Sequence, residues 1–309
     1  MQKGFTMILT VKDIEKSFGD NHVLKKINLE IESGKALGIL GRNGAGKTTT
    51  IRIIMGVFDG DEGSILVDDK KIDRNKISIG YLPEERGLYP KKVIIDQLLY
   101  FAALKGMTKK DAMKSADYWL ERLGMMEYKK RKLETLSKGN QQKIQLVVTL
   151  ISNPEIVILD EPFSGLDPVN AMLLKDIVKE LISDGKIVLF SSHQMNYIEE
   201  FCDDIIILNG GEVVVSGTIR DIKRSYERNK ILVVSEEAHA IQWFLQCKPS
   251  LVEDITAIDE NTILLKLPSS NDKEKLLMTL ATHQFDIDEF RVYEPSLNDI
   301  FVEYTEGKI

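Results

Sequence analysis

No stretch of this sequence approaches the ~20 consecutive apolar residues that a membrane-spanning helix needs. The longest run, residues 98–104 (LLYFAAL), is about a third of that length. No secretory leader is expected either: in the opening MQKGFTMILTVKDIEKS, charge arrives at Lys12 before a signal-peptide apolar region develops. Cysteine is scarce. Cys202 and Cys247 form no CxxC pair and no metal-ligand cluster, so two reduced thiols packed as small hydrophobes are expected. Excess positive charge is absent too. With 41 Lys and Arg against 48 Asp and Glu the net charge is −7, which excludes a strongly basic nucleic-acid footprint at whole-chain level. Internal repeats and low-complexity segments are lacking. What the chain does have is 43% hydrophobic residues over 309 positions. That is enough to bury a core, and at ~100–200 residues per domain it predicts about two domains.

The first part, residues 1–220, reads as a nucleotide-binding α/β domain with an early β-rich edge. Strand-like segments at 8–11, 28–31 and 64–67 are separated by charged or glycine-containing turns. The apolar run 35–40 (KALGIL) suits a buried strand, and helix-compatible sequence follows Lys47. Residues 91–135 are rich in Lys, Leu, Met and Ala, with helical periodicity at 94–104 and 112–123. They predict a helical subdomain over about 91–150. Three apolar strands are expected at 156–159, 187–190 and 205–208, alternating with helices at 141–151, 169–183 and 195–201. That alternation predicts a buried, largely parallel sheet covered by helices. After the charged linker 220–230, residues 221–309 read as a small α+β accessory domain. Its order β-α-β-β-α-β fits a ferredoxin-like split βαβ module, and another two-layer topology fits as well.

The strongest chemical signal is Gly41-Arg42-Asn43-Gly44-Ala45-Gly46-Lys47-Thr48-Thr49, a match to GxxxxGK[ST]. Glycines let such a loop curl so that its N–H groups point at phosphate oxygens, and the following helix adds its positive end. Lys47 is placed to reach the β- and γ-phosphates, and the Thr48 hydroxyl to ligate Mg²⁺. The segment 156–162 (IVILDEP) delivers Asp160 to the C-terminal end of a buried strand, where ligands bind in open α/β sheets. Asp160 would orient Mg²⁺ through water, and Glu161 would act as the base that polarises the attacking water.

With these motifs in order, the sequence resembles ABC-type ATPases, a family of P-loop NTPases. Leu136-Ser137-Lys138-Gly139-Asn140-Gln141-Gln142 resembles the family signature LSGGQ, Ser164-Gly165-Leu166-Asp167 its D-loop, and His193 its switch histidine. Phe18 stands where the family places an aromatic that stacks on adenine. The resemblance covers residues 8 to about 220. It implies an ATP hydrolase using ATP and Mg²⁺ in a head-to-tail dimer, in which Ser137 and Gly139 of one subunit face the γ-phosphate held by the other and Asp167 couples the sites. It also implies a separate transmembrane permease subunit docked near Tyr81 to Pro90 (YLPEERGLYP) and the helical subdomain. The subunit would then sit peripherally on the cytoplasmic side of the cell membrane. The chain resembles the ATP subunits of bacterial sodium-efflux and drug-resistance exporters, and 293–301 (YEPSLNDIF) resembles the tail domain of that group.

Three positions depart from the family pattern. Lys138 replaces the second signature glycine and Asn140 its glutamine. Glu84 stands where Gln usually contacts Mg²⁺, keeping an oxygen ligand but adding negative charge. A rival reading is a soluble ABC-type ATPase acting on nucleic acid or the ribosome. It is opposed by the single phosphate loop and by the lack of a heptad run or basic stripe. A purely regulatory nucleotide sensor is opposed by the intact Glu161.

Overall fold

The computed structural model describes residues 6–85 and 87–306; Arg86, within the expected docking segment, lies outside the described residues. The chain divides into two compact units. One takes in the sequence up to Ile219 and again from Phe301, and the other is Arg220–Ile300.

The first unit opens with β1 (Ile8–Phe18), β2 (Asn21–Glu32), β3 (Ala36–Gly41), α1 (Lys47–Met55), β4 (Glu62–Val67), β5 (Lys70–Lys71) and β6 (Ile79–Leu82). Three helices follow: α2 (Ile94–Leu104), α3 (Lys109–Arg122) and α4 (Lys138–Leu150). Then come β7 (Ile156–Asp160), α5 (Pro168–Ser183), β8 (Ile187–Ser191), α6 (Met195–Phe201), β9 (Asp204–Asn209) and β10 (Glu212–Thr218). Every residue of β7 (IVILD) and β8 (IVLFS) is buried. Such unbroken apolar runs belong in a sheet covered on both faces. They lie in a six-stranded sheet of order β10-β9-β3-β8-β7-β6, parallel except at β10. An antiparallel sheet of order β2-β1-β4-β5 shares one apolar core with it, joined through Leu24, Ile27, Ile39, Ile51, Ile54 and Ile158.

Several elements differ from the expected ones for local reasons. β1 and β2 run well beyond 8–11 and 28–31. Asp13 (φ 49°) and Lys26 (φ 55°) stand where the pairing register shifts, and these bulges break the alternation that sequence reading relies on. α4 begins at Lys138 rather than at 141, because the Ser137 hydroxyl accepts the Asn140 N–H at 3.3 Å and caps it. β10 was not anticipated; it is a half-exposed edge strand without a buried apolar run.

The second unit follows α7 (Ile219–Ser225) with β11 (Lys230–Val234), α8 (Ala238–Gln246), β12 (Asp254–Ala257), β13 (Thr262–Lys266), α9 (Lys273–Thr282) and β14 (Glu289–Val292). α10 (Leu297–Glu306) is the last described element. The sheet order is β12-β13-β11-β14, antiparallel throughout. Counting strands within the unit this is 2-3-1-4, so of the two expected topologies the ferredoxin-like one is found. Ile231, Val233 and Leu265 pack with Ile241 and Leu245 of α8 and with Leu276 and Leu280 of α9. The accessory segment expected at 221–309 includes residues that join the first unit from Phe301 onward. There the Asn209 amide donates to the Tyr304 carbonyl at 3.0 Å, and Glu306 lies 3.6 Å from Arg42.

Candidate active site

β3 is buried from Ala36 to Leu40 and ends at Gly41, where the chain turns into α1. Gly46 closes that turn at φ 108°, and a Cβ there would lie 2.5 Å from Leu24 Cδ2, so the loop tolerates glycine alone. No side chain caps the start of α1. Its first-turn N–H groups are thus left for an anion. Gly41, Arg42, Asn43, Gly44, Gly46, Lys47, Thr48 and Thr49 line one cavity of about 820 Å³, while Ala45 is buried behind the loop. The Lys47 ammonium donates to the Gly41 carbonyl at 2.6 Å and the Arg42 carbonyl at 3.2 Å. Burial lowers its pKa, and the nearby carboxylates of Glu161, Asp160 and Glu84 oppose that shift.

Acidic residues line the same cavity. Asp160 ends β7, and Glu161 follows at φ 48°, in the left-handed region that a non-glycine residue seldom occupies. The Glu161 N–H donates to the Ser191 carbonyl at 2.8 Å, which holds the turn. Its carboxylate is 8% exposed and accepts three hydrogen bonds: from Ser192 Oγ at 3.1 Å, from the His193 N–H at 2.8 Å and from His193 Nδ1 at 2.7 Å. With a carboxylate as its partner Nδ1 acts as the donor, which leaves Nε2 for a further contact. The His193 side chain is 71% exposed, and both residues line the cavity. Asp160 accepts from the Tyr81 hydroxyl at 3.2 Å. Burial raises the Asp160 pKa, with the hydrogen bonds it accepts acting the other way. Burial and the neighbouring Asp160 raise the Tyr81 phenol as well.

Thr48, Glu84, Asp160, Glu161 and His193 thus meet around the phosphate loop. Phe18 is not a wall of this cavity; it is half exposed and packs edge-on against Phe58 at 5.6 Å. Ser137, Gly139 and Asp167 also lie outside it. Ser137 caps α4, and Asp167 caps α5 by accepting the Asn170 N–H at 3.0 Å, a bond that holds its carboxyl below the ordinary range. A Cβ on Gly139 would stand 3.6 Å from Asn170 Nδ2, so the signature and D-loop segments are neighbours. Sequence reading missed Tyr81, Ser192 and three further cavity residues, Asn21, Val23 and Phe301. Ser192 could have been found from its place beside His193; Phe301 lies in the segment 293–301 that resembles the tail domain, and nothing there points to the cavity.

Known proteins resemble this chain along most of its length. The family described as ABC transporter matches residues 24–164. That described as ATP-binding protein DrrA1-3-like, C-terminal domain, matches residues 217–305. The uncharacterized ABC transporter ATP-binding protein YhaQ of Bacillus subtilis (strain 168) is 42% identical, over 96% of this chain and 98% of that protein. The linearmycin resistance ATP-binding protein LnrL of the same organism is 31% identical, again over 96% and 98%. Among solved structures, an ATP-binding subunit of an ABC transporter superposes with a TM-score of 0.66 at 28% identity, over 71% of this chain and 92% of that one.

Proposed function

The chain belongs to the ATP-binding proteins of ABC transporters, which hydrolyse ATP to drive transport, and from that premise we propose that it energises an exporter through a separate transmembrane subunit. The observation that carries the catalytic part is the Glu161–His193 pair facing the phosphate loop across one cavity. ATP phosphates would displace the carbonyls that Lys47 now caps and take its charge, together with the N–H groups of the loop and of α1. Glu161, held on both oxygens, is oriented to accept a proton from the attacking water. His193 Nε2 would contact the γ-phosphate side of that water. Thr48, Asp160 and Glu84 offer oxygen ligands within the same cavity, a donor set that fits a hard cation completed by phosphate oxygens. When bound there, Mg²⁺ would neutralise charge developing on the phosphates.

Two surfaces support the partners. Beside Asp167, Val169 and Met172 are 75% and 66% exposed, an apolar face suited to a second copy of this chain. Near residues 81–90 and the helical subdomain, Tyr89, Tyr100 and Leu104 are exposed, with Tyr89 stacked on Phe101. That face suits the permease. No helix among the described residues is long and apolar enough to cross a membrane. The export direction follows the full-length likeness to a resistance protein and the DrrA-like tail.

Purification of the tagged chain from detergent-solubilised native membranes is the test. A stoichiometric multi-span protein is expected; recovery only with ribosomes or nucleic acid would overturn the transporter assignment. The dimer has its own test: Glu161→Gln with ATP and Mg²⁺ should double in mass by light scattering. A monomer under those conditions would contradict the trans arrangement of Ser137 and Gly139.

A further inference from the structure

We propose that Phe301 of α10 supplies an aromatic contact to the base of the bound nucleotide and so helps set the affinity of the site for a nucleoside triphosphate over a bare triphosphate. The inference rests on the ATP-binding reading above and adds a residue that lies outside the nucleotide-binding motifs.

The cavity lining falls into two chemically distinct groups. Loop N–H groups, Lys47 and the acidic pair suit triphosphate and cation. The walls outside those motifs are Asn21 and Val23 of β2 and Phe301. Of these three, Val23 and Phe301 are apolar and Phe301 alone is aromatic. A base has a flat, weakly hydrated face that belongs against such a surface, and aromatic stacking accepts any base. Phe18, half exposed and turned edge-on to Phe58, is not a wall.

Phe301 is held where it is from two sides. One turn further along α10, the Tyr304 carbonyl accepts the Asn209 amide at 3.0 Å. Glu306 reaches Arg42, the second residue of the phosphate loop, at 3.6 Å. Phe301 and these contacts lie in the same compact unit as the loop. Asn21 and Val23 of β2 and Phe301 of α10 line the cavity from segments far apart in sequence, and Asn209 at the end of β9 holds α10 without lining it.

The test compares equilibrium binding of ATP, GTP and inorganic tripolyphosphate to the full-length chain and its variants. Phe301→Ala should weaken both nucleotides about tenfold and leave tripolyphosphate unchanged. Phe301→Tyr, which keeps the ring, should bind all three as the parent does. Asn209→Ala, which releases Tyr304, should weaken the nucleotides by a smaller factor of about three and spare tripolyphosphate. Equal loss of nucleotide and tripolyphosphate in Phe301→Ala would show that the ring only props the loop, and would overturn the proposal. Parent-like nucleotide binding by Phe301→Ala, with the base-dependent loss found in Phe18→Ala instead, would overturn it too. Lys47→Ala separates the two levels of argument, since it should weaken all three ligands. If it weakened none, the phosphate site itself would be wrong, whatever Phe301 does.

Discussion

The first unit buries two carboxylates side by side at the end of β7, Asp160 at 6% and Glu161 at 8% exposure; the buried polar residues of the second unit are Asn229 and Ser235. Glu161 has positive φ in the turn after a central strand, while Gln284 has it just beyond the end of α9, an ordinary place for a helix to stop. A buried carboxylate costs stability unless it is hydrogen-bonded, and Glu161 accepts three bonds while its Asp160 neighbour is held by Tyr81. The second unit is held by aliphatic packing between one sheet and two helices, with no metal-ligating cluster among its described residues. Buried carboxylates concentrate at the candidate site of the first unit, and the core of the other unit is aliphatic.

That contrast can be broken by mutation. His193→Ala removes the ring that orients Glu161, and should cut kcat by about 100-fold with ATP affinity retained, read by steady-state turnover and equilibrium binding. A parent-like kcat would make the pair ornamental. Leu265→Ala, at a fully buried position, should destabilise the second unit by about 2–5 kcal/mol in denaturant titrations. ATP turnover of the remaining folded protein should stay unchanged; a catalytic defect in excess of the unfolded fraction would erase the division of labour. Asp160 tests the cost of buried charge. Its pKa is raised by burial, so it favours the folded state below the ordinary carboxylate range, and that contribution is lost as pH rises through the folded pKa. Asp160→Asn is therefore expected to raise the Tm of nucleotide-free protein at pH 7 by about 2–4 °C. The advantage should vanish by about pH 4. A lower Tm at pH 7 would show that the ionised carboxylate is stabilising. The smallest effect concerns the thiols. Cys202 is buried, with its thiol pushed up by burial, and Cys247 is exposed. A thiol reagent should label Cys247 quickly and Cys202 only on unfolding.

Much of the site was legible because its residues act in short, contiguous motifs. Residues 41–49 needed only a strand before and a helix after, and 156–161 only one buried strand. The ferredoxin-like order of the second unit was one of two readings; the pairing of β11 with both β13 and β14 decides it, and strand pairing is tertiary information. β10 escaped because an edge strand lacks the apolar run that marks β7 and β8. The hydroxyl of Tyr81 was hidden in a motif read for Glu84. Phe301 was invisible for a different reason: it reaches the cavity from the far end of the chain, and no local pattern encodes such a contact.

Glu161 is proposed to act on water rather than on nucleotide binding. Single-turnover phosphate release from Glu161→Gln at saturating ATP and Mg²⁺ tests that claim most directly. The expected result is unchanged ATP affinity with release slowed by about 1,000-fold. Release at the parent rate would mean that the buried carboxylate is structural and that the base lies elsewhere.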